Sequence, residues 1–138
     1  MTNIVGKELS YRIVGVLFEV HRELGGQYQE KHYQRAVAKA LRVASIPFEE
    51  QIVVDLIFKN EKIGKYYLDF LIDKKVILEL KSEPIISRAS LRQVLAYLKA
   101  SGLELGIVAN FRGDKLKYVR VLNSEIRKCS DQFGNYSD

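Results

Sequence analysis

The chain has 138 residues, 47% of them apolar and 28% charged, and a formal charge of +5 from 22 Lys+Arg against 17 Asp+Glu. This length and composition fit one globular domain with one core, and they exclude a disordered, low-complexity or repeat-built chain. The basic balance favours a polyanionic partner, although scattered charge by itself specifies none.

At the N-terminal end the longest near-apolar stretch is 13–18, far short of the roughly 20 residues a membrane-spanning helix needs. The first ten residues lack a basic start followed by an apolar run, so no leader is expected. The lone cysteine, Cys129, allows no internal disulfide and is not expected to be a nucleophile; a reducing, cytoplasmic setting is the simplest reading.

Residues 7–24 read as an amphipathic helix through Leu9, Ile13, Val16, Leu17, Val20 and Leu24, stopped by Gly25-Gly26. A second helix is predicted over 28–44, with Tyr33, Ala36, Val37, Ala40 and Leu41 on its apolar face and Pro47 just beyond it. The pattern then changes to strands. These are predicted at 51–58, 66–72 and 76–81, with turns at Asn60-Glu61 and Asp73-Lys74-Lys75. Ser87 can cap a helix over 88–100, which Gly102 ends, and strands follow at 105–109 and 117–122. Residues 123–138 are polar without a clear period, so the expected layout is one domain over 1–122 and a polar C-terminal tail.

Short connections make the three consecutive strands an antiparallel meander, and the helix at 88–100 is a crossover that can return the chain to a parallel neighbour. The fold class is α+β, a mixed α/β sandwich with helices covering the sheet.

If the third turn is 73–75, Ile72 faces Val76, Leu71 faces Ile77, Phe70 faces Leu78 and Asp69 faces Glu79. Glu79 and Lys81 share a face because strand side chains alternate. Two carboxylates about 5 Å apart on facing strands repel unless a cation lies between them. Carboxylate oxygens are the ligands a hard divalent ion prefers, and an ammonium group beside them can position a water. The plainer alternative is a cross-strand ion-pair cluster in which Lys81 neutralises two acids. Gln93 and Tyr97 are i, i+4 on the following helix, off the stripe of Leu91, Val94, Leu95 and Leu98, where they could overlook the sheet end. Glu30 stands early in the second helix, where an acid is also common for dipole reasons. Arg88, Arg92 and Lys99 lie on one side of the third helix and could hold a phosphate backbone or simply be a solvated face.

Asp69, Glu79-Leu80-Lys81 and Gln93-x-x-x-Tyr97, preceded by Glu30, resemble the PD-(D/E)XK nuclease superfamily. The Gln-x-x-x-Tyr element is similar to that of its RecB-type and λ-exonuclease-type branch. Nearly the whole chain, 7–122, resembles the GxxExxY family, through Glu8-Leu9-Ser10-Tyr11, Val20-His21-Arg22-Glu23-Leu24-Gly25, Glu30-Lys31-His32-Tyr33, Leu68-Asp69-Phe70 and Ala109-Asn110-Phe111. That family's first glycine, three residues before the glutamate, is Gln27 here, and Leu68 replaces the proline before Asp69.

The resemblance implies a restriction-endonuclease-like core of helix, three-stranded antiparallel meander, helix and strand. It also implies Mg²⁺ or Mn²⁺ held by Asp69, Glu79, the Leu80 carbonyl and Glu30, with Lys81 activating water and Gln93 and Tyr97 orienting substrate. The expected function is metal-dependent hydrolysis of phosphodiester bonds in DNA, with RNA as an alternative substrate. The rival is a non-catalytic nucleic-acid-binding or protein-interaction module that retains the fold. A homodimer or a place in a larger assembly suits so small a domain. His21 and His32 are expected to be structural or solvated, and no glycine loop suggests ATP.

Overall fold

A computed structural model describes residues 6–123; the tail read at 124–138, with Cys129, lies outside the described residues. The chain runs α1 (Lys7–Leu24), α2 (Glu30–Val43), β1 (Phe48–Phe58), β2 (Glu61–Ile72), β3 (Val76–Lys81), α3 (Arg88–Ser101), β4 (Leu105–Asn110) and β5 (Lys117–Leu122). The strands form one sheet in the order β1-β2-β3-β4-β5. Neighbours are antiparallel except β3 and β4, which run parallel across the α3 crossover. The mixed α+β class and the crossover expected from the sequence are both observed. Among the described residues no helix is long and apolar enough to cross a membrane.

Two cores flank the sheet. On one face α1 and α2 bury Ile13, Leu17, Tyr33, Val37 and Leu41 against Phe70, Ile72, Leu78, Leu80 and Ile107. On the other, α3 buries Leu91, Val94, Tyr97 and Leu98 against Leu68, Ile77, Val108 and Val121. α3 begins at Ser87, whose hydroxyl accepts from the Ser90 N–H at 3.1 Å, and ends at Gly102 with φ 78°, as its sequence foretold. α2 starts at Glu30 rather than residue 28, because Gln29 is extended (φ −87°, ψ 160°) and its N–H donates to the His32 Nδ1 at 3.3 Å, capping the helix there.

The β1–β2 hairpin departs most from expectation. Both strands are longer than predicted, and the turn is Lys59-Asn60, with φ 50° and 67°, rather than Asn60-Glu61. Two successive positive-φ residues match the right-handed twist of a two-residue hairpin. Lys62, Gly64 and Lys65 hid the outer half of β2, since two lysines and a glycine carry no apolar alternation even though burial there alternates.

Gly26 fixes how the α1–α2 loop meets the β4–β5 loop. A Cβ there would lie 2.0 Å from the Gly113 carbonyl oxygen and 2.5 Å from its nitrogen, both backbone atoms that cannot rotate away. Gly26→Ala should therefore lower stability by about 2 kcal/mol. Urea denaturation would check this, and an unchanged midpoint would show that the two loops separate freely.

Candidate active site between the second and third strands

The predicted β2–β3 register holds for three pairs, Ile72↔Val76, Leu71↔Ile77 and Phe70↔Leu78, and the ladder stops there. Asp69 and Glu79, expected to be the next directly opposed pair, are instead joined through side chains. The Asp69 carboxylate accepts from the Leu80 N–H at 2.8 Å, and the Glu79 carboxylate accepts from the Asp69 N–H at 3.0 Å. Each acid thus occupies a place a backbone carbonyl would hold in a continuous ladder.

The cause is a local change of face in both β1 and β2. Gln51 takes φ 53° in the middle of β1, opposite Asp69. Phe48 and Phe70 pack under α1 and α2, whereas Ile52 and Leu68, on the same sequence parity, pack under α3. A strand can change its buried face in this way only by breaking its pleat. The break releases the edge of β3 that carries Leu80. A strand residue's N–H and C=O point to the same side, so the Leu80 carbonyl points the way its N–H does, into the gap holding Asp69.

Glu79 is 5% exposed, while Asp69 and Lys81 are half-buried. The Glu79 carboxyl is pushed up to about 8. Burial is the main cause, followed by the charge of Asp69 and a carboxyl–carboxyl hydrogen bond with it; the Asp69 N–H and the Lys81 charge pull the other way. Two hard oxygen donors, one of them reluctant to ionise, beside the Leu80 carbonyl make a donor set that fits a Mg²⁺- or Mn²⁺-sized cation.

Tyr97 is at this site, but not as expected. It is fully buried within the α3 core rather than off it, and its hydroxyl donates to the Tyr67 carbonyl at 3.0 Å. The apolar stripe of α3 runs Leu91, Val94, Tyr97 and Leu98, with Leu95 at its margin. The tyrosine belongs to the stripe because its ring is apolar and only its tip is polar. Desolvation, and then the nearby charge of Glu79, Tyr66 and Asp69, raise its phenol, so it stays protonated. Gln93 lies one turn earlier on α3, half-buried, without a hydrogen-bond partner among the described residues.

Glu30 is exposed at the first turn of α2, where its carboxylate accepts from the Ser82 N–H at 3.1 Å, one residue beyond Lys81. Among the described residues no three His, Cys, Asp or Glu side chains form a metal-sized cluster. Asp69 and Glu79 therefore stand as a pair, and Glu30 approaches the strand end without completing a triad. Arg88, Arg92 and Lys99 are exposed on α3 and make no hydrogen bond or ion pair with Asp69, Glu79 or Lys81. His21, buried, donates from Nε2 to the Gly113 carbonyl at 3.0 Å, and His32, exposed, accepts from the Gln29 N–H at the start of its own helix.

One positioning residue went unrecognised in the sequence. Asn110, 1% exposed and registered against Lys81, accepts from the Glu83 and Arg112 N–H groups and donates to the Glu83 carbonyl at 2.8 Å. It fastens the exit of β3 to the exit of β4. The signal was a polar residue ending an otherwise apolar strand.

A family model described as the PD-(D/E)XK nuclease superfamily matches residues 7–121. The crystal structure of SSO0001 superposes with a TM-score of 0.56 at 15% identity, covering 75% of this chain and 57% of that one. The chain thus spans little more than half of that neighbour, and the likeness is one of fold. No curated relative matches.

Proposed function

The chain belongs to the PD-(D/E)XK nuclease superfamily, and from that premise we propose that it is a metal-dependent nuclease hydrolysing phosphodiester bonds of DNA. The superfamily implies a nucleic-acid partner. The segments quoted above favour its GxxExxY group. The observation that carries the proposal is the Asp69–Glu79 pair. The two acids are held at a broken ladder, Glu79 by the Asp69 N–H and Asp69 by the Leu80 N–H, and burial beside Asp69 pushes the Glu79 carboxyl up to about 8.

Asp69, Glu79 and the Leu80 carbonyl would hold Mg²⁺ or Mn²⁺, with Glu30 able to assist only from the strand end. Such an ion polarises a phosphate oxygen and lowers the pKa of a bound water. The protein's own part is positional. The Leu80 and Asp69 N–H groups fix one oxygen of each acid. The Tyr97 hydroxyl, anchored on the Tyr67 carbonyl, stays protonated near Glu79. Lys81 places an ammonium beside Glu79, where it can orient the attacking water and offset the charge that builds on the phosphate.

The test is incubation of pure protein with supercoiled plasmid and with linear DNA. Nicking or digestion in Mg²⁺ or Mn²⁺, stopped by EDTA, is expected. Binding without cleavage in either ion would overturn the enzyme reading in favour of a non-catalytic module. Solution mass would show whether a homodimer acts.

A further inference from the structure

Ligands of open sheets gather outside the carboxyl ends of parallel strands, and here β3 and β4 are the parallel pair. At that end two adjoining hollows of about 700 and 510 Å³ share Gly26, Gln27, Tyr28 and Gly113. The first also reaches Arg22 and Asp114, and the second reaches Arg112 and Ser82. Ser82 follows Lys81 directly, so the groove begins where the candidate active site ends.

Three features mark it as a built site. Neither the Arg22 nor the Arg112 guanidinium has an ion-pair or hydrogen-bond partner among the described residues, yet both line one groove whose only acid is Asp114. The floor is rigid: His21 and Gly26 both bond the Gly113 backbone. Tyr28, 49% exposed, is held at both ends of its peptide, its N–H donating to the Tyr33 hydroxyl and its carbonyl accepting from Ser82. Its ring, at the groove, packs edge-on against His32 and Tyr33.

We propose that this groove binds a single strand of nucleic acid, with Arg22 and Arg112 on successive phosphates and Tyr28 stacked on a base, and leads it to the Asp69–Glu79 pair. The inference rests on the nuclease reading for its direction. Unpaired guanidinium groups suit phosphate, and an exposed aromatic ring stacks on any unpaired base. A duplex keeps its bases stacked inside and offers none to Tyr28.

The experiment measures fluorescence anisotropy of a labelled short single-stranded DNA with the full chain in EDTA, so that no cleavage intervenes. Arg22→Ala with Arg112→Ala should weaken binding and reduce the slope of log affinity against log salt by about 1.4, near 0.7 per lost phosphate contact. Tyr28→Ala should weaken it about tenfold at constant slope; Tyr28→Phe should restore it, which separates stacking from folding damage. Unchanged binding in the arginine variant, or loss only in Arg88→Ala with Arg92→Ala, would overturn the groove. Tighter binding of the matched duplex would overturn the single-strand assignment. Groove-dependent binding by a protein that never cleaves would sink the nuclease reading and leave the binding site standing.

Discussion

The Asp69→Asn protein is expected to fold as the wild type does and to cleave DNA about a thousandfold more slowly. The size follows from the several kcal/mol that a bound divalent ion contributes to a phosphoryl-transfer transition state. Asn is chosen over Ala for a reason visible at the strand gap. The Asp69 carboxylate accepts from the N–H of Leu80, a residue 2% exposed. Ala would leave that N–H buried and unsatisfied, at a cost of about 1–3 kcal/mol, and lost activity could then reflect lost structure. An amide oxygen keeps the hydrogen bond and removes the charge. Lys81→Ala should also reduce cleavage, by about 10²–10⁴-fold, since Lys81 is half-buried and supplies charge rather than packing. Initial rates in Mg²⁺ and Mn²⁺, alongside thermal unfolding of each variant, check both. Wild-type rates in the two variants would mean that the chemistry lies elsewhere.

Stability of the metal-free protein should fall as pH rises from about 4.5 to about 8. Below 4.5, the ordinary Glu value, the folded and unfolded chains both hold the Glu79 proton. Between 4.5 and about 8 the unfolded chain releases it and the folded chain does not. The unfolded state then binds fewer protons, so unfolding becomes easier with each step in pH, and the loss levels off above about 8. The total is of the order of a few kcal/mol. Glu79→Gln, which keeps an oxygen to accept the Asp69 N–H, should match the wild type at low pH and exceed it at high pH. Mg²⁺ or Mn²⁺ at high pH should raise the melting temperature of the wild type more than that of Glu79→Gln, because an ion that binds only the folded state stabilises it by mass action. Parallel melting profiles for the two proteins across the range would show that Glu79 is not strained. This readout requires no activity, so it bears on the metal site separately from cleavage.

Apolar periodicity and turn chemistry determined the elements and their order from the sequence alone. Ser87 and Gly102 bracketed α3, the loop at 73–75 set the first three β2–β3 pairs, and the length of the α3 crossover made β3 and β4 parallel. The residue types of Asp69, Glu79 and Lys81 were equally legible, because charged groups inside apolar strands stand out. How those groups meet followed from packing across the whole sheet. Gln51 and Asp69 turn their strands over so that each covers a different core on either side of the break, and that demand comes from helices distant in sequence. The same packing drew Tyr97 into the α3 core and left Glu30 at the strand end. Local pattern records which residues prefer to be buried; which neighbour buries them depends on the whole sheet.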